Sequence, residues 1–175
     1  MQFRLFETAV YTRRRSQLIK KMSSGLIILM GNEESSMNYK DNWYPFRQDS
    51  NFLYYFGINT GSLAAVIDAD SGEEIIFGNE LTIEDIVWTG PLPSLGEMAA
   101  AVGVSKTKPY NQIETIIRNA INSGRQIYFT PPYRPENKIK LAQWLQVAVD
   151  AVSEMASVLL IKAIISQRES KKECE

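Results

Sequence analysis

Apolar and polar positions change period along the chain, and the changes mark out elements. Between residues 9 and 23, Tyr11, Leu18 and Met22 recur on one helical face, with Arg13, Arg14 and Arg15 crowded between them, and Gly25 stands where a helix would stop. Leu26–Met30 is then an unbroken apolar run, which predicts a buried strand ended by Gly31 and Asn32. Leu63–Ala69 and Glu74–Phe77 predict two further strands, and Asp70-Ser71-Gly72 between them predicts the turn of a hairpin. Gln126–Thr130 reads as a short fourth strand, followed by a loop marked by Pro131, Pro132 and Pro135.

The helical segments carry their own signals. Asp49 or Ser50 can cap a short helix over Asn51–Phe56, with Gly57 as its stop. Thr82–Trp88 predicts a helical turn. Ser94 and Glu97 have the spacing of a capping box and open an Ala-rich helix. Ile113, Ile116, Ile117, Ala120 and Ile121 form an amphipathic face ended by Gly124. Ile139, Ala142, Leu145, Val149 and Val152 predict one longer helix. Val158–Ile165 fits a strand or a helix, and beyond Ser166 the chain offers nothing to bury. Strands alternating with helices, with one hairpin, predict an α/β domain built on a mixed β-sheet flanked by helices.

Composition narrows the chemistry. A chain of 175 residues suits one domain, and 45% hydrophobic against 22% charged residues predicts a packed core. Nineteen basic residues oppose 20 acidic ones, so no global attraction draws the chain to nucleic acid or to an anionic membrane, and neither is expected as a partner. The single cysteine, Cys174, cannot form an intrachain disulfide, and no apolar run approaches the length of a membrane span. A cytoplasmic, soluble protein is expected. There is no histidine, which removes Ser-His-Asp and Cys-His catalysis and His-ligated zinc. An all-carboxylate or lysine site stays open.

Several segments invite a functional reading. Asp68, Asp70, Glu73 and Glu74 resemble a cation loop, but glycine comes fifth and the twelfth residue is Asn79, so a solvated hairpin turn is the expected state. A two-metal site would need carboxylates converging from separate strands, and these four share one turn. Arg13, Arg14 and Arg15, with Lys20 and Lys21, read as a solvated face rather than a phosphate grip. The aromatic stretch Trp43–Gly57 has one basic residue, Arg47, and predicts core packing for most of its rings rather than a base-stacking platform. Within it, Arg47 and Asp49 predict a partly buried pair, either structural or facing a substrate. Trp88, just before the Gly90-Pro91 turn, is either a core residue or an exposed recognition group.

The stretch Phe46-Arg47-Gln48-Asp49-Ser50-Asn51-Phe52-Leu53-Tyr54-Tyr55-Phe56-Gly57 is similar to a signature of the N-terminal domain of Xaa-Pro aminopeptidases and prolidases. The arginine-rich opening helix, Gly25–Leu29, Trp88-Thr89-Gly90 and Leu160–Glu173 follow that family's order. The resemblance implies a creatinase/aminopeptidase P N-terminal fold with a ribonuclease H-like motif, spanning residues 1–165, with 166–175 a linker into a C-terminal catalytic domain. It implies a metallopeptidase whose two divalent metals, commonly manganese, sit in that other domain and hydrolyse the bond before proline. No residue here matches a metal or catalytic position, so the chain alone is expected to be inactive. The resemblance assigns to Arg47, Asp49 and Trp88 a substrate-facing or inter-subunit role, and implies as partners the chain's own catalytic domain, a homo-oligomer and a peptide substrate. A stand-alone binding module derived from this domain is the alternative.

Overall fold

The computed structural model describes residues 6–39, 42–80, 87, 90 and 92–169. Five strands form one sheet in the order β4-β3-β2-β1-β5. They are β1 (Leu26–Met30), β2 (Ala64–Asp68), β3 (Glu74–Phe77), β4 (Lys106–Lys108) and β5 (Ile127–Phe129). The meander β1-β2-β3 is antiparallel, pairing Leu26 with Asp68, Met30 with Ala64 and Ala64 with Phe77. Both outer strands add in parallel, β5 beside β1 (Ile28 opposite Phe129) and β4 beside β3 (Ile75 opposite Lys106). The sheet is therefore mixed, as expected. Strand β4 was not foreseen: Lys-Thr-Lys has no apolar alternation, because it is an edge strand whose lysines face water and discourage further pairing.

The helices are α1 (Thr8–Met22), α2 (Ser50–Phe56), α3 (Leu95–Ala101), α4 (Ile113–Asn122), α5 (Pro135–Leu145), α6 (Ala151–Met155) and α7 (Val158–Arg168). They cover both faces of the sheet, which is why β1 is apolar without alternation. Successive side chains of a strand point to opposite faces. Ile27 and Leu29 accordingly pack with Tyr11 and Leu18 of α1, Phe52 and Phe56 of α2, Leu95 of α3 and Leu160 of α7. Leu26 and Ile28 pack on the other face with Ile113 and Ile117 of α4, and Leu141 and Trp144 of α5.

Caps behave as their residues dictate. Ser94 and Glu97 close a capping box on α3, worth about 1 kcal/mol. Gly57 ends α2 in the left-handed region at φ 66°. A Cβ on it would stand 2.1 Å from the Tyr11 ring, so conformation and close approach both demand glycine. The Thr82–Trp88 expectation falls largely outside the described residues.

Three expectations are corrected and one open reading is settled. The basic cluster on α1 is only partly solvated. Arg13, Lys20 and Lys21 are exposed, but Arg14 and Arg15 are buried. Arg15, 0% exposed, donates to the carbonyls of Tyr55 and Val102 at 2.9 Å each and lies 2.8 Å from Glu74 of β3. It bolts α1 to α2, to the end of α3 and to the sheet. Severing such a buried pair costs about 3–5 kcal/mol.

The single long helix expected through Val152 is two helices. Gln146 takes the left-handed conformation at φ 57° and ends α5 without the glycine that would have announced it. Leu141, Trp144 and Leu145 form the buried stripe, while Ile139 and Val149 face solvent. The ambiguous run from Val158 is helical, capped by Ser157, whose Oγ accepts from the Leu160 N–H at 3.1 Å. The helix also runs past Ser166. Gln167 is buried, accepts from the Tyr55 hydroxyl (3.1 Å) and donates to the Arg14 carbonyl (2.9 Å), so this end of the chain does have something to bury.

Candidate functional site

Strands β1 and β5 are adjacent and parallel, so their C-terminal ends lie together. The chain leaves β1 towards α2 on one face of the sheet and leaves β5 towards α5 on the other. Such a divergence opens a crevice at the strand ends, the usual place for a ligand in an open α/β sheet. Here it is a cavity of about 20 Å³ lined by Met30, Asp49, Phe129, Thr130, Tyr133 and Asn137, among others.

The wall on the β1 side is set by close backbone approach. A Cβ at Gly31 would meet the Leu63 carbonyl at 2.5 Å. The next residue, Asn32, is fully buried; its N–H donates to Gln48 Oε1 (2.7 Å), and its amide donates to the Arg47 carbonyl and the Tyr133 hydroxyl (2.8 Å each). Gln48 is the hub of the Arg-Gln-Asp-Ser element. Its Oε1 also accepts from the Asp49 N–H (2.9 Å), and its amide donates to the carbonyls of Thr60 (2.7 Å) and Ile58 (3.3 Å). A buried amide with every group used fixes the loop in one conformation.

Asp49 is half-buried and caps α2. Its Oδ1 accepts from the N–H groups of Asn51 (2.8 Å) and Phe52 (3.0 Å). The expected pair with Arg47 is not formed: Arg47 is exposed, and no ion pair joins the two among the described residues. Asp49 Oδ1 is committed to the N–H groups of α2, and an arginine exposed to water needs no partner. Trp88 lies outside the described residues. The structure thus brings Asp49 to the crevice and leaves Arg47 in solvent beside it.

Sequence reasoning missed Asn32, Gln48 and Asn137. Asn137 of α5 is 5% exposed, and its amide donates to the Gly31 carbonyl at 3.1 Å. Its Oδ1 is buried without a hydrogen-bond partner, and so is that of Asn32. The available signal was a polar residue beside a strand end or inside an apolar stretch, which demands partners once buried. Helix α5 also clamps the loop after β1: Arg134 donates to Ser35 Oγ (2.9 Å), and Lys140 pairs with Glu33 and reaches the Tyr110 hydroxyl (3.2 Å). Burial alone would lower the Lys140 pKa, but the bonds to Glu33 and Tyr110 hold it above its ordinary value.

The aromatic stretch divides. Phe52, Tyr55 and Phe56 are core, as expected, whereas Trp43 and Tyr44 are exposed with Met37 and Tyr39 on a loop closed by the Ser36–Trp43 bridge.

At the opposite end of the sheet, the acidic turn lines a larger cavity of about 250 Å³ with Leu26, Val66, Ile75 and Arg125. Arg125 donates to Asp68 Oδ2 (3.1 Å) and Asp70 Oδ2 (3.1 Å), and Asp68 Oδ1 accepts from the N–H groups of Asp70 (2.9 Å) and Ser71 (3.3 Å). Burial works against ionising Asp68, but these hydrogen bonds outweigh it and hold its carboxyl below the ordinary value. Cations from outside the turn, Arg125 and Lys106, meet its acidic residues, so it stays a hairpin turn at the surface.

A family model, that of the aminopeptidase P N-terminal domain, matches residues 11–128, well over half of the chain. The chain belongs to this family. Human Xaa-Pro dipeptidase is 23% identical over 116 residues, covering 62% of this chain and 24% of its own length. Xaa-Pro aminopeptidase of Escherichia coli (strain K12) is 25% identical over 123 residues, 67% of this chain and 27% of its own. In structure, this aminopeptidase P N-terminal domain overlays aminopeptidase P from E. coli in its low pH form with a TM-score of 0.69 at 20% identity, covering 81% of this chain and 33% of that one. The fold is therefore shared, and the chain spans about a quarter to a third of the length of these relatives. A pair of divalent metals does not fit the residues described. There is no histidine, and among the described residues no three acidic or cysteine side chains converge. Among them, too, no helix is long and apolar enough to cross a membrane.

Proposed function

We propose that this chain serves as the non-catalytic N-terminal domain of a metal-dependent Xaa-Pro aminopeptidase or dipeptidase, a cytoplasmic enzyme that cleaves the peptide bond before proline. The observation that carries the reading is the family match on a chain that spans only a quarter to a third of its Xaa-Pro peptidase relatives. Hydrolysis belongs to a separate catalytic domain holding two divalent metals, manganese by expectation. The N-terminal domain supports assembly of subunits and closure of the active-site mouth. Arg47, Asp49 and Trp88 face that mouth or a neighbouring subunit. The exposed position of Arg47 and the half-buried carboxylate of Asp49 in a crevice support this placement.

In the full-length enzyme, Trp88→Ala should weaken turnover or assembly while the melting of the isolated domain stays unchanged. A melt lowered by the about 3–5 kcal/mol of a lost core aromatic makes Trp88 structural instead.

The second reading is a stand-alone binding module. The exposed Met37, Tyr39, Trp43 and Tyr44 favour it, because clustered exposed rings mark interaction surfaces. The parent reading frame separates the two: an in-frame continuation rich in histidine and metal-ligand carboxylates supports the first.

A further inference from the structure

The loop after β1 folds into a short hairpin arm. Ser36 pairs with Trp43 in an antiparallel bridge. The bonds on either side run from the Met37 N–H to the Asn42 carbonyl (2.7 Å) and from the Tyr44 N–H to the Ser35 carbonyl (2.9 Å). Bonds in those places make Ser36 and Trp43 a non-hydrogen-bonded pair, so the Trp43 N–H and carbonyl turn outward from the arm. No hydrogen bond reaches either of them among the described residues. Side chains alternate between the faces of a hairpin, so Trp43 lies on one face and Met37 and Tyr44 on the other, with Tyr39 following at the tip. These four side chains are 43–63% exposed. The base of the arm is fixed: Arg134 donates to Ser35 Oγ at 2.9 Å, Lys140 pairs with Glu33, and the Asn32 amide donates to the Tyr133 hydroxyl at 2.8 Å. A preformed arm loses little freedom on binding.

The edges of the main sheet are guarded. Strand β4 carries Lys106 and Lys108, and on β5 the Phe129 carbonyl accepts from the Ser157 N–H at 2.9 Å. Lysines and covering segments are how sheets discourage further pairing. The arm's edge at residues 42–44 has neither, only an open backbone and exposed rings.

We propose that this arm is a self-association surface, on which a second copy of the chain pairs edge to edge about a two-fold axis at Trp43. A two-fold axis sets each residue against its own twin. That arrangement repels wherever a surface is charged, and residues 35–37 and 42–44 carry no charge. Antiparallel pairing also lets the two Trp43 residues exchange their outward N–H and carbonyl bonds and brings their rings together as a cross-strand pair. Each half-exposed side chain adds about 100 Å², counted on both copies, so roughly 800 Å² is covered in all, which suits a reversible dimer. The inference deepens the assembly role proposed above, rests on it, and names the surface that carries it.

The test is sedimentation equilibrium of the purified chain from about 5 μM to about 1 mM. The apparent mass should climb from 19.8 kDa towards twice that value. Trp43→Lys sets two like charges across the axis and should weaken association about tenfold or more, with an unchanged melt because the ring is exposed. Ile121→Lys, the same kind of change at an exposed position of α4 beside the opposite end of the sheet, should leave association unaltered. A mass that stays at one chain overturns the proposal and leaves the arm to a different partner. So does a folded Trp43→Lys chain that associates as before, or an Ile121→Lys chain that loses association equally. If Trp43→Lys does not fold, amide exchange in the unaltered chain decides: the Trp43 N–H should become protected as concentration rises, and a rate that stays constant overturns the proposal. Peptide turnover enters none of these readouts, so the proposal can fail while the peptidase reading stands, and the reverse.

Discussion

The two ends of the sheet carry similar residues and treat them differently. At the hairpin end, Asp68 spends both oxygens on Arg125 and on the N–H groups of its own turn, and Asp70 gives its Oδ2 to Arg125 and to the Gly25 N–H. At the other end, Gln48 has used every group it has, yet Asn32 and Asn137 beside it each keep an oxygen in reserve. One end is a charge network at the surface, held by Arg125. The other is a buried amide scaffold in which two oxygens are left without a partner. Density of charge in the sequence therefore marks the first end and says nothing of the second.

The comparison can be broken by mutation. Gln48→Leu should have the largest effect. It strands the N–H groups of Asn32 and Asp49 and the carbonyls of Ile58 and Thr60, and each buried orphan costs about 1–3 kcal/mol. A loss on the order of 3 kcal/mol or more is expected in denaturant melts. A loss below about 1 kcal/mol would mean that water reaches the loop and that the scaffold is not closed.

Arg125→Leu should cost less, about 1 kcal/mol or below, because the Arg125 pairs are partly exposed. Its signature is pH dependence. The folded pKa of Asp68 is depressed, so the stability it contributes is present above the unfolded carboxylate value of about 3.9 and is lost as pH falls through the lower folded value. Removing Arg125 should flatten that acid-side loss. An acid melt unchanged by the mutation would place the depression of Asp68 in its backbone bonds alone.

How much of this was legible follows from where each signal resides. Strand β1, the hairpin, the Ser94 cap and the Asp49–Gly57 limits of α2 could be read because each is decided by neighbouring residues. Strand β4 could not, because Lys106-Thr107-Lys108 is a strand only by virtue of β3 beside it. The burial of Arg14 and Arg15 depends on carbonyls 40 and 87 residues away. Of the site, Asp49 was visible as a charge in an apolar stretch. Its expected partner was wrong, because Asp49 caps α2 through Oδ1 and Arg47 stays in solvent. Asn137 reaches the Gly31 carbonyl across 106 residues of chain, and no local pattern announces that.

The most direct test of the proposed non-catalytic role is an assay of the purified chain with an Xaa-Pro peptide and excess manganese. The chain has no histidine, and among the described residues no cluster fits a metal pair. The account predicts no release of the residue ahead of proline, with or without the metal. Metal-dependent release that copurifies with the chain and is abolished by a chelator would contradict it.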